Sequence, residues 1–303
     1  MSWRDALRRR LKISEIGLRP PAPAPGRHGV GIAVILRNEA RYAPEWARFH
    51  HAAGVRRFVI YDDGSTDGTA DAVAAVLPAD ALIVIPWAQR LTDARLGREV
   101  HNQVAAYAHA ASNFGADLRW MAFIDADEFL VPVDAGSIPA ALDGFAPPSL
   151  SMPWHMFGFS GHETDPGGPV LAAYTMRARD LAGDAPGLRA YKMIADPCRI
   201  TAMRVHSLSC DGAPTTWNDR GTRAATPEAR DHAWASAARL QLNHYYTRSR
   251  AELEAKIERG PNLGSKRAAY RRKVLRTVAS VEADTVEDLR ARDYAAALGL
   301  LDG

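Results

Sequence analysis

Cysteine is nearly absent from this chain. Cys198 and Cys210 are the only two in 303 residues, and neither belongs to a Cys-x-x-Cys pair. That argues against a disulfide framework or a cysteine zinc site and fits a reducing compartment. Long apolar runs are missing as well. None approaches the ~18 residues of a membrane span, and the segment Met1 to Leu11 lacks the apolar core of a secretory signal. A cytoplasmic location, with room for peripheral attachment to the inner face of a membrane, is the resulting expectation. Charge of one sign is scarce too: 38 Lys and Arg against 35 Asp and Glu leave a net +3. So small an excess argues against a nucleic-acid partner. There is no Gly-x-Gly-x-x-Gly, hence no dinucleotide fingerprint, and no internal repeat.

What is present is enough apolar material for a sizeable core, 47% of the chain. Val30 to Leu36 reads as a buried strand, residues 44–53 as a helix and Phe58 to Tyr61 as a second strand. A helix over 70–77, a strand over 82–85, a helix over 95–112 and a strand over 120–124 follow. Strands alternating with helices predict a mostly parallel sheet with helices on both faces, an α/β fold. Beyond residue 135 the pattern is less regular, with Gly and Pro clusters at 158–169 and 183–187 of the kind that carry binding loops. The expected organisation is an N-terminal amphipathic segment and Pro-rich linker over 1–27, the α/β domain over 28–248, and a basic helical extension over 249–303. Trp3, Leu7 and Leu11 stand at helical spacing in the first segment. The extension carries Lys256, Arg259, Lys266, Arg267, Arg271, Arg272, Lys273 and Arg276. Either is read as a helix packed on, or solvated beside, the domain, or as a surface for anionic lipid.

Two acidic turns carry the chemistry. Asp125-Ala126-Asp127-Glu128 follows the apolar run Trp120 to Ile124, so its carboxylates are expected at the C-terminal rim of a strand, where ligands of open α/β sheets bind. Paired carboxylates there suit a divalent cation carrying phosphates. Asp62 to Thr69 (DDGSTDGT) follows a strand and opens a helix, with Asp67 or Thr66 able to cap it. Its likeness to a calcium loop fails because position twelve is Ala74 rather than Glu. A phosphoaspartate hydrolase is disfavoured by Phe129, two residues after the second Asp.

Together these segments resemble a family. Leu36-Arg37-Asn38-Glu39-Ala40, Glu45-Trp46 with Phe49-His50, and Tyr61 to Thr69 are similar to the opening of GT-A glycosyltransferases. Phe123 to Leu130 resembles their metal-binding Asp-x-Asp. Trp154 to His162, Lys192-Met193-Ile194, and Asn243 to Ser249 followed by Lys256 and Arg259 resemble the glycosyltransferase group called family 92-like or family 2, type 4.

The resemblance implies a Rossmann-like GT-A fold. It also implies transfer of a sugar from a nucleotide-diphosphate donor, most simply a UDP-sugar, to an acceptor hydroxyl in bacterial surface or exported polysaccharide synthesis. The acceptor would be a glycan or a lipid-linked acceptor. It implies a divalent metal on Asp127, with Asp125 as a second ligand or as a ribose contact. A late histidine would complete the set, His244 first and His206 as the alternative, and nitrogen ligation favours Mn2+ over Mg2+. Arg37, Glu39, Asp62, Asp63 and Asp125 would line the nucleotide site. Lys192 would contact the diphosphate or make a surface salt bridge. Trp154 and His162 would meet the acceptor. If the reaction inverts, Glu163 or Asp165 would take the acceptor proton. Two rival readings remain: a sugar-nucleotide nucleotidyltransferase, which needs a glycine-rich phosphate loop that Leu36 to Glu39 does not supply, and a non-catalytic carbohydrate-binding protein.

Overall fold

The alternation of side chains along the first strand sets the two cores of the molecule. Val30, Ile32, Val34 and Leu36 point to one face and Ala33 to the other, the two-residue period of a pleated strand buried on both sides. The computed structural model describes residues 12–179, 188, 190–225, 234–259 and 267–301. The expectations on Trp3, Leu7 and Leu11, on the 183–187 cluster, and on Lys266 lie outside them.

The central sheet has eight strands: β1 (Val30–Leu36), β2 (Val55–Asp62), β3 (Leu82–Pro86), β4 (Trp120–Phe123), β5 (Glu128–Pro132), β6 (Ser149–Met156), β7 (Tyr191–Ala195) and β8 (Leu240–His244). Their order is β3-β2-β1-β4-β7-β6-β8-β5. The first four are parallel. β7 is antiparallel to both β4 and β6, β8 runs parallel to β6, and β5 closes the edge antiparallel to β8. The sheet is thus mixed and mostly parallel, as expected, but β6, β7 and β8 come from the region beyond residue 135 that reads irregularly in sequence, and β5 from just after the acidic turn.

Helices cover both faces. α1 (Ala43–Ala52), α2 (Thr69–Ala74) and the C-terminal α6 (Arg290–Ala297) bury Trp46, Phe49, Val73, Ala291 and Ala295 in one core. α3 (Asn102–Phe114) buries an alanine-rich face with Tyr107 in the other, against Val59, Met121 and Met193. α3 starts later than expected because residues 92–99 form a small hairpin. Asp93 caps its turn, accepting from Leu96 N (2.6 Å) and, through its carbonyl, from Gly97 N (2.8 Å). Gly97 adopts φ +59° there, a conformation that stops a helix.

The expected linker is tied to the domain at both ends. Ile16 and Gly17 pair with Met203 and Ala202, and Arg27 forks onto the buried Asp196 at 2.5 and 2.7 Å. After the sheet, α4 (Arg250–Arg259) and α5 (Arg267–Ala283) pack through Leu253, Ile257, Val274 and Val278 around Phe159. No helix among the described residues is long and apolar enough to cross a membrane.

Candidate active site

β1, β2, β4, β6 and β8 all run the same way, so the segments leaving their C-terminal ends share one rim. β7 runs against them and delivers the start of a strand, Tyr191-Lys192, to that same rim. Asp125 sits where β4 ends and meets this arrival. Its Oδ2 lies 2.8 Å from Lys192 Nζ, while Oδ1 accepts from Gln103 Nε2 (2.6 Å) and Tyr107 OH (3.3 Å). Burial opposes the charge on Asp125, but the Lys192 ammonium outweighs it and holds the carboxyl below its usual range. Burial likewise opposes the charge on Lys192, and Asp125 with Glu128 overrides it, so the lysine is held charged.

Two expectations change here. Lys192 is neither a surface salt bridge nor open to a diphosphate: its side chain is 0% exposed. Glu128 is not a solvated acid at the rim. It begins β5, is 0% exposed and lies 4.0 Å from Lys192. Its Oε2 accepts the Asp125 N–H at 2.7 Å, whereas Oε1 has no hydrogen-bond partner. Burial pushes the Glu128 carboxyl well above the ordinary range. An acidic residue is tolerated inside this strand because burial favours its protonated form and a lysine from another strand lies beside it.

Asp127 faces the other way. The antiparallel register sets His244 opposite Glu128, which places His244 Nε2 3.5 Å from Asp127 Oδ1. Lys256 of α4 approaches Asp127 Oδ2 at 3.3 Å and donates to the Tyr246 carbonyl at 3.1 Å. Burial opposes ionisation of Asp127, but Lys256 and His244 win and keep its carboxyl well below the usual range. Trp154 packs its ring 4.4 Å from that of His244, with His206 beyond it at 5.5 Å.

A divalent ion fits between Asp127 and His244 with a small adjustment, since two cis ligands each ~2.1 Å from an octahedral ion sit about 3 Å apart. His244 Nδ1 is buried without a partner. Asp125 is engaged by Lys192 and Gln103, and no group of three or more His, Cys, Asp or Glu among the described residues can hold a metal. Substrate oxygens and water would have to supply the remaining ligands.

Two clefts flank these carboxylates. The larger, about 320 Å³, is lined by Lys12, Arg37, Asp63, Arg90, Asn102 and Gln103 among others. Asp63 is held there by Arg90 through two bonds, 2.7 and 3.2 Å, and by Asn102 Nδ2 at 2.9 Å. Of roughly four lone-pair positions on a carboxylate, three are used and one on Oδ2 is left for a ligand. Asp62 instead folds the turn, accepting the Ser65 N–H at 2.7 Å, and Asp67 caps α2 through Thr69 N at 3.1 Å.

The smaller cleft, about 190 Å³, has Glu39, Tyr42, Asp127, Tyr246, Arg248 and Lys256 in its wall. Glu39 pairs with Arg248 at 3.3 Å. Burial raises its carboxyl above the ordinary range despite Arg248. Arg248 stacks 3.6 Å over the Tyr42 ring. Asn38 and Arg248, two of the four non-glycine residues with positive φ among those described, both line this cleft. Such strained residues cluster at functional sites.

Three expected residues lie in loop contacts instead. Glu163 is 74% exposed and pairs with Arg250, and Asp165 pairs with Arg41 at 3.5 Å. His162 is pinned by the Ala173 carbonyl at 3.0 Å. Conversely, Arg90, Asn102 and Gln103 were not singled out in the sequence, and Arg248 entered only as part of the Asn243 to Ser249 motif. Their only local signal is a polar residue just past a strand end or at a helix start.

Comparison with known proteins agrees with the motif order. The sequence profile of Glycosyltransferase family 92 matches residues 35–221. A glycosyltransferase family 92 protein of Ricinus communis is 32% identical over 175 residues, 55% of this chain and 29% of the relative. One of Oryza sativa subsp. japonica is 29% identical over 157 residues, 50% of this chain and 25% of its own. The match thus spans less than a third of these relatives' length. Among solved structures, glucosyl-3-phosphoglycerate synthase from Mycobacterium tuberculosis, in complex with Mg2+ and UDP, superposes at a TM-score of 0.32 with 18% identity, covering 57% of each chain. S. aureus TarS 1–349 in complex with UDP gives 0.32 with 16% identity, covering 56% of this chain and 47% of that one. Likenesses that partial carry no residue assignments. With its profile match running from the end of β1 past the acidic rim and β7, the chain belongs to glycosyltransferase family 92.

Proposed function

We propose that the protein transfers a sugar from a nucleotide-diphosphate donor, a UDP-sugar, to an acceptor hydroxyl with the help of a divalent metal. The observation that carries this is the continuity of the rim. Asp63, Gln103, Asp125, Asp127 and His244 follow one another from a nucleoside-sized cleft to a carboxylate–imidazole pair. Asp63 offers its remaining lone pair to a ring N–H of the base, and Arg90 fixes its plane. Gln103 and Asp125 face the ribose side. Asp127 and His244 would hold a divalent ion, Mn2+ in preference to Mg2+, and a metal there would neutralise the charge of the departing diphosphate. Lys256 and Arg248 add fixed positive charge where the negative charge develops.

Glu39, in the cleft beside Asp127, is better placed than Glu163 or Asp165 to take the acceptor proton. Trp154 is read as the support of His244 rather than an acceptor platform. The acceptor class remains a glycan or a lipid-linked acceptor of surface or exported polysaccharide synthesis. Isothermal calorimetry with UDP and Mn2+ tests the reading. Binding that needs Asp63 is expected, and no detectable binding with or without metal would refute it.

A further inference from the structure

We infer that the outward face of α5 docks on an anionic lipid surface. The inward face is fixed by Val274, Thr277, Val278 and Val281, all buried. At about 100° per residue, the opposite pole then carries Arg272, Leu275 and Arg276 between the small residues Ala268 and Ala279, with Arg271 and Lys273 on the flanks. All of these are exposed. Arg271, Arg272, Lys273 and Arg276 have no ion-pair partner among the described residues, whereas arginines elsewhere on the surface, such as Arg56, Arg179, Arg199 and Arg204, each have a carboxylate.

A solvated helix face usually alternates charge at i,i+4. Here Arg272 and Arg276 place like charges at that spacing, which opposes the helix. An external anionic surface removes that penalty. Leu275 selects lipid among polyanions. It is 43% exposed, one of four large apolar side chains exposed among the described residues, and it sits amid the cations, where it can enter the headgroup and acyl boundary. A net charge of +3 for the whole chain argues against nucleic acid. The face lies one helix away from the cleft, because α5 packs on Leu253 and Ile257 of α4, the helix that carries Lys256.

The test is co-sedimentation of the full chain with vesicles of phosphatidylcholine alone and of phosphatidylcholine with phosphatidylglycerol. Binding only to the anionic vesicles, lost at about 0.5 M salt, is expected. Each cation contributes roughly fivefold to partitioning, so Arg272→Gln/Arg276→Gln should bind about thirtyfold more weakly, with a melting temperature no lower than the parent's. Leu275→Gln should weaken binding at every salt concentration. Equal partitioning to neutral and anionic vesicles, or no loss in the double variant, would overturn the inference. So would capture of a DNA oligonucleotide through the same cations without vesicle binding.

Discussion

Lys192→Met probes the charge arrangement under the rim. The Lys192 ammonium is wholly buried, 2.8 Å from Asp125 and 4.0 Å from Glu128. Removing one partner of a buried ion pair costs about 3–5 kcal/mol because the other charge is left uncompensated. Asp125 is 32% exposed and regains some water, so the lower figure, about 3 kcal/mol, applies. Glu128 adds little, since burial already favours its protonated form. With a urea dependence near 3 kcal/mol per M, the unfolding midpoint should fall by about 1 M. Lys192→Met/Asp125→Asn removes both charges and should recover at least half of that loss, giving a coupling of about 1.5 kcal/mol or more in the double-mutant cycle. A Lys192→Met midpoint within about 0.3 M of the parent, or strictly additive losses in the cycle, would refute the account.

Asp127→Asn should lower metal-dependent donor hydrolysis by roughly a hundredfold or more, while Arg204→Ala, which breaks only an exposed pair with Glu15, should leave it unchanged; a fully active Asp127→Asn enzyme would remove the metal from this site. His244→Ala should shift the Mn2+ activation curve by roughly tenfold or more, and an unshifted curve would reassign that ligand to His206. Arg90→Ala frees the Asp63 carboxylate to rotate and should weaken UDP binding about tenfold by calorimetry, an equal Kd being the refuting result. Burial lowers His50 from 6.5 to about 3. The fold therefore favours the neutral ring, and this contribution is complete above pH 6.5 and lost as pH falls towards 3. Its share of the loss is about 2 kcal/mol by pH 5. His50→Gln should flatten the stability profile between those pH values, and an unchanged slope in urea melts would count against it.

The first half of the sheet was legible because β1, β2 and β4 are largely buried apolar runs, the last two ending at acids, and because β3 keeps an apolar run although it lies half-exposed at the edge. Val30 to Leu36 and the run before Asp125 match the structure within a residue or two. The segment 95–112 misled because Ala, Leu and Arg are good helix formers, whereas the turn at Asp93 and Gly97 decides its first residues. β5 escaped notice because a strand that begins with Glu seems unable to be buried. Its counter-charge, Lys192, comes from 64 residues later in the chain, which no local pattern reports. His244 and Asp127 meet for a similarly non-local reason, the antiparallel register of β8 on β5. Asp62 and Asp63 look equivalent in sequence, yet the strand end turns one into the loop and the other into the cleft.

The antiparallel course of β7 has a consequence for how the enzyme comes into being. During synthesis Asp63, Arg90, Asn102 and Gln103 all emerge before Lys192, and well before His244 and Lys256. The cleft at Asp63 is lined by residues between Lys12 and Gln103 alone, whereas Asp125 and Glu128 have no cation beside them until Lys192 follows in the chain. Only when residues 191–195 zip in beside β4 does the cation arrive that lets those acids be buried. Competence for the proposed chemistry thus waits on completion of the fold, because Lys192, His244 and Lys256 all follow residue 190 in the chain.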